Sequence, residues 1–348
     1  MSDPIPKQIA ELKTPRQITA ARFSPDGTVL VTAGYEPLLR RWRLEGDKDF
    51  QPLPPLEDHR GWTTGLAFHP QQPWLVTADS WGQLRCQTFA EDQPAVRWRH
   101  DTAHDGWIRQ LAISPDGRHL ATCGRDRFLR LWNAESGALA AEHQAGEDLY
   151  AVAFHPTGTM VVSGDGRGRI EAWDFAAKKT VRTFDAPAFY KLDRIQDIAG
   201  LRVLTFLNDG QTLLAAGTTP NNGATMLSRP TMLAFDFAGG KLAHTFTHGK
   251  PEHGFIHDLA VHPDGYLIAV TSGSPGSGLL LLVRPGAEEP FHVHTKLANC
   301  HAIALHPDAK RFLVTATNRD SNGNGRRLGK DGDYPNNSSP LHWFELTS

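Results

Sequence analysis

The run "DSNGNGRRLGKD" sets oxygen-bearing side chains at alternate positions, Asp320, Asn322 and Asn324, followed by Gly325 and, at the twelfth place, Asp331. That is the spacing with which one loop wraps a hard cation such as calcium. The pattern is incomplete, because the last place calls for a bidentate glutamate and because Arg326, Arg327 and Lys330 would repel a dication. The same glycine and asparagine amides, with those arginines, suit a phosphate or a partner's carboxylate equally well. A second arrangement, "FHVHTKLANCH", holds His292 and His294 two residues apart, so that both could ligate a metal from one strand face. His301 follows in the same stretch, and no third ligand is evident. There is no serine elbow, Walker loop or dinucleotide fingerprint, and "GDGRGR" at 164 joins strand to strand rather than strand to helix. No residue is nominated as acid, base or nucleophile, and no cofactor is implied.

Composition narrows the classes. The chain has 348 residues, 40% of them apolar and 21% charged, which is the make-up of a globular protein. No apolar run approaches the ~18 residues of a membrane-spanning helix. The segment "MSDPIPKQIAELKTPRQ" lacks the features of a secretory signal, so the expected location is cytoplasmic. Cys86, Cys123 and Cys300 lie far apart with no CxxC pair and read as reduced core thiols. A formal charge of −2 argues against nucleic acid or anionic lipid as the partner.

The elements that must position these residues repeat. An apolar-X-Pro-Asp-Gly turn recurs as "FSPDG" at 23, "FHPQQ" at 68, "ISPDG" at 113, "FHPTG" at 154, "FLNDG" at 206, "VHPDG" at 261 and "LHPDA" at 305. Each copy stands between two short apolar strands, and proline, aspartate and glycine there are a hairpin signal. In most copies a third strand ends on an aromatic, such as Trp42, Trp132, Trp173, Phe235 or Trp343, and a looser fourth strand leads onward. Four antiparallel strands cannot bury both faces alone, so the units must stack. The expectation is an all-β, seven-bladed propeller of four-stranded blades in one domain, with blade cores beginning near 18, 63, 108, 149, 201, 256 and 300.

These residues resemble the WD40 repeat family over nearly the whole chain. The third copy, "HDGWIRQLAISPDGRHLATCGRDRFLRLWN", is the best match, and the resemblance implies that His104, Thr122, Asp126 and Trp132 form the family's structural hydrogen-bonded tetrad. Other copies depart from it: the aspartate slot holds Glu36, Trp81 and Arg167 in the first, second and fourth, and Gln87 replaces the second copy's tryptophan. His59 and His104 occupy the tetrad's histidine slot, while His69, His155, His262 and His306 recur before the turn proline and read as structural. The seventh copy lacks a fourth strand, and the resemblance implies that residues 7–14 supply it as a closing clasp.

Function is expected where the repeats break. The link between second and third strands lengthens in the fifth copy (217–230), the sixth (272–278) and the seventh (317–340), and the connection at 185–200 is also long. In propellers of this kind these links lie on one face, so all four insertions should meet over blades four to seven. Phe189, Tyr190, Arg319, Arg326, Arg327 and Tyr334 are of the types that anchor interfaces, and Trp81, with Trp62 and Trp107, belongs near the same face. The reading is a non-catalytic scaffold with one or more protein partners. The alternatives are a propeller hydrolase or lactonase with its site in the central funnel, and a reader of phosphopeptides or small ligands.

Overall fold

The computed structural model describes residues 3–193, 196–221, 228–318 and 338–347. Seven four-stranded antiparallel sheets stand as blades around a channel, with inner strands Ile18–Phe23, Thr63–Phe68, Ile108–Ile113, Leu149–Phe154, Leu201–Phe206, Phe255–Val261 and Cys300–Leu305. Each inner strand touches the next, and the seventh touches the first, so the ring is closed. Among the described residues there is no α-helix, and no helix is long and apolar enough to cross a membrane.

The hairpin chemistry read from the sequence is visible at the third turn. Ser114 Oγ donates to Asp116 Oδ1 at 2.6 Å, Asp116 accepts the Arg118 amide at 3.0 Å, and Gly117 takes the left-handed conformation at φ 75°. The strand after each turn is sandwiched between neighbouring blades, which is why Val29–Gly34, Trp74–Asp79 and Leu267–Ser272 are buried along their whole length. Apolar clusters fill each of the seven interfaces between blades. The turn histidines strap adjacent blades together at the rim where the hairpins lie. His155, His262 and His306 reach the carbonyls of Gly210, Ala309 and Gly27 in the next blade, at 2.9, 2.6 and 3.2 Å. Nδ1 of His69 and His262 accepts an amide from its own turn, which leaves Nε2 as the ring donor of His262 and fixes its tautomer.

Closure is made by Ile5–Thr14, which pairs antiparallel with Ser339–Thr347 from Ile5 opposite Thr347 to Thr14 opposite Ser339. Ile9, Ala10 and Leu12 pack on the cluster containing Trp343 and Trp42.

Two connectors differ from the sequence reading. Much of 217–230 is strand: Thr212–Pro220 pairs with Ser228–Asp236 out to Pro220 opposite Ser228, so blade five projects as a lengthened hairpin. The 185–200 connection folds into a single turn, Pro187–Phe189, and a two-stranded ribbon of Tyr190–Asp193 with Gln196–Ala199.

Candidate functional site

In all seven blades the pairing of inner and second strands slips at the same place, skipping Thr19, Thr64, Arg109, Tyr150, Arg202, His257 and His301 in turn. A β-bulge leaves one residue without a cross-strand partner and re-aims its side chain. Here the seven bulged residues line a single chamber of about 340 Å³ at one mouth of the channel. This mouth opens on the upper face, where the connectors enter the inner strands and where second strands link to third. Tyr35 and Trp107, from two such connectors, complete its wall.

The chamber is cationic. The Arg109 guanidinium lies 4.5 Å from the Trp107 ring and 4.9 Å from that of Tyr150, and the Arg202 guanidinium lies 4.3 Å from Phe255 and 5.4 Å from Tyr150. Arg202 spends Nη1 on the carbonyls of Ala199 and Leu201, and neither arginine has an ion pair among the described residues. Burial, with Arg109 adding to it, lowers the Arg202 pKa to about 10, so it stays charged. The two histidines stay neutral: burial first, with His301 and the Arg202 guanidinium nearby adding to it, holds His257 well below its ordinary value, and burial lowers His301 to about 4. The one carboxylate among the lining residues, Asp258, lies one position deeper. It is taken by Arg22 at 3.1 Å and by the Ile303 amide at 2.9 Å.

An aromatic shelf leads to this mouth over blades one to three. Trp81 is 65% exposed, Trp62 49% and Tyr35 38%, too much for packing residues of the interior. Tyr35 and Trp62 have ring centroids 4.9 Å apart, and Trp62 stands 6.3 Å from Trp107. Over blades four to seven the long connectors are tied in series. The Gly200 amide donates to Phe189 O, Thr218 N to Gly200 O, Thr218 Oγ1 to Gly254 O, Ser274 N to Glu252 O, and Thr317 N to Asn299 O.

Of the anchors expected from sequence, Phe189 is fully buried in the cluster between blades four and five, because its turn directs the ring inward, and it is withdrawn as a contact residue. Tyr190 is partly exposed, its hydroxyl donating to Asp197 at 2.5 Å. Arg319, Arg326, Arg327 and Tyr334 lie outside the described residues, as do the calcium candidates Asp320, Asn322, Asn324 and Asp331. His292 and His294 sit on the outer strand of blade six, the latter against Phe344, while His301 faces His257 in the channel. Among the described residues no group of three metal-ligating side chains occurs. Sequence reading missed Arg109, Arg202 and Tyr35. The signal for the arginines was there: aligned by copy, the second residue of each inner strand, or the third in blade six, reads Thr, Thr, Arg, Tyr, Arg, His, His.

Blade three places His104 Nδ1 2.9 Å from Asp126, His104 Nε2 2.7 Å from Thr122 Oγ1, and Trp132 Nε1 2.9 Å from the same hydroxyl. The carboxylate can only accept and the indole can only donate, so Thr122 donates to a neutral imidazole. In blade two the carboxylate comes from Asp79, two residues before the Trp81 slot, with His59 Nδ1 at 3.3 Å and Thr77 at 2.8 Å from Nε2. Asp165 caps the corresponding turn of blade four, and Glu36 of blade one instead holds Arg40 through two hydrogen bonds. Replacing Thr122 with valine strands two buried groups, and urea unfolding is expected to show a loss of about 2 kcal/mol. A loss under about 0.5 kcal/mol would mean that the relay adds nothing to stability.

The family model for "WD domain, G-beta repeat" matches residues 6–43, 50–86, 98–133 and 139–174. Periodic tryptophan protein 2 of Arabidopsis thaliana is 25% identical over 58% of this chain and 23% of its own length. Target of rapamycin complex subunit wat1 of Schizosaccharomyces pombe is 25% identical over 45% and 49%. Transcription initiation factor TFIID subunit 5 of Caenorhabditis elegans is 23% identical over 64% and 32%. The chain thus spans less than half the length of each of these relatives. Four matched repeats and a ring of seven blades closed by an N-terminal strand identify the chain as a member of the WD40 repeat family.

Proposed function

We propose that the chain is a non-catalytic scaffold that receives a protein partner on its upper face. The observation that carries this reading is the run of exposed aromatics, Trp81, Trp62 and Tyr35, beside the channel mouth. Aromatic side chains that remain half in water on a rigid sheet scaffold are the usual anchors of interfaces. Two relatives are named as subunits of complexes, which supports the same reading. The long connectors over blades four to seven lie on the same face, tied to one another through Phe189, Gly200, Thr218 and Gly254.

The test is affinity purification with three forms of the chain: wild type, Trp62→Ala combined with Trp81→Ala, and a form with residues 319–337 replaced by a short link. Loss of two aromatic anchors is expected to weaken recovery of the partner by roughly 30-fold. Melting temperature should hold, because neither side chain is buried. Equal recovery by all three forms would sink the assignment of this face.

A further inference from the structure

We infer that the chamber at the upper mouth is an anion site, built to take the carboxylates of an acidic segment of the partner. This rests on the scaffold reading above and adds the chemistry of what is recognised. Two guanidiniums point into one chamber of about 340 Å³ from positions that carry no strand-pairing duty. Arg109 Nε is buried without a hydrogen-bond partner. A polar group stranded in that way costs free energy unless a ligand satisfies it. Ring faces of Trp107, Tyr150 and Phe255 fix both cations in place, so little side-chain freedom remains to be lost when an anion arrives. Among the residues that line the chamber the one carboxylate, Asp258, is held by Arg22, and the histidines beside it are neutral.

The carrier of the anion follows from continuity. Tyr35 and Trp107 belong to the chamber wall and also to the aromatic shelf, through ring contacts with Trp62 at 4.9 and 6.3 Å. An acidic segment carrying an apolar side chain fits both surfaces at once, carboxylates on the arginines and the apolar group on the shelf. The overall charge of −2 disfavours a long polyanion such as nucleic acid, whose backbone would meet the whole surface.

The experiment uses the full chain and a fluorescein-labelled pentapeptide, Glu-Glu-Phe-Glu-Glu, read by fluorescence anisotropy beside its Gln-Gln-Phe-Gln-Gln counterpart. The acidic peptide is expected to bind at least about tenfold more tightly, and to weaken about tenfold in Arg109→Gln and again in Arg202→Gln. Lys179→Gln, on an exposed outer strand, should match wild type. Melting curves on each variant, together with Arg109→Lys and Arg202→Lys, which keep the charge and should bind better than the glutamine forms, separate loss of binding from loss of fold. Equal affinity for the two peptides, or arginine variants that bind as wild type does, would overturn the site. Displacement of the peptide by inorganic phosphate at equal or lower concentration would overturn the acidic-segment assignment in favour of a small oxyanion. If the arginine variants still recover the partner while Trp62→Ala with Trp81→Ala does not, the scaffold reading stands and this inference falls.

Discussion

A chain lacking Ile5–Thr14 is expected to melt roughly 10 °C or more below the intact protein, and to associate through the blade it leaves open. The strand looks like a disposable tail, but it forms the whole outer edge of blade seven. Its loss strips the pairing along Ser339–Thr347 and the bond from Thr14 Oγ1 to Ser339 O at 3.2 Å. It also uncovers Leu341 and Trp343, which are fully buried in the intact ring. Losing these packing contacts together with the pairing costs on the order of 5 kcal/mol. The bared edge would present unpaired amides and carbonyls to a second molecule. Calorimetry with size-exclusion chromatography measures both effects, and a synthetic peptide of residues 3–15 should restore part of the loss. An unchanged melting temperature would mean that the ring holds without its clasp.

Acid should destabilise the fold well above the range in which carboxylates titrate. Burial lowers His301 to about 4 in the folded chain, against an ordinary value of 6.5. Between those two values the unfolded chain binds a proton that the folded chain refuses, so stability falls as pH falls through the window. The loss from this one residue reaches about 3 kcal/mol by pH 4. His257, facing His301 at 4.9 Å with Arg202 close by, is shifted in the same direction and adds to it. Asp79 continues the trend at lower pH. Burial alone would raise its pKa, but His59 and the amides of Gln83 and Gly61 outweigh it and hold the value at about 2. Its contribution is present above 3.8 and lost as pH falls toward 2. Urea titrations at pH 7.5, 5.5 and 4.5 should show a falling midpoint, and His301→Asn should flatten that slope. A wild-type midpoint constant across the three would remove the buried histidines from the account.

The blades were legible in the sequence because their signals are local. Proline, aspartate and glycine set each turn, and apolar runs such as "VLVTA" and "WLVTA" mark strands covered on both sides. The site was harder to read. In "IRQLAI" and "LRVLTF" the arginine reads as an ordinary polar position between apolar ones, and nothing local announces that pairing slips at Arg109 and Arg202 and turns both toward the channel. Phe189 is hidden for the opposite reason: an aromatic in the polar connector "DAPAFYKLD" looks exposed until the turn at Pro187–Phe189 folds it into the cluster that holds Leu201 and Ala215. The displacement from Trp81 to Asp79 has a similar origin. A carboxylate closing the second strand can reach back to His59 only once both strands are in register.

The skipped residue in every inner strand gives the molecule a place where its chemistry can change without rewriting its architecture. Strand order, hairpins and interblade cores are set mainly at other positions, so this one residue differs from blade to blade, as threonine, arginine, tyrosine or histidine, within a single architecture. Each blade thereby contributes one letter to a circular word of seven, and a new specificity is reached by spelling rather than by rebuilding.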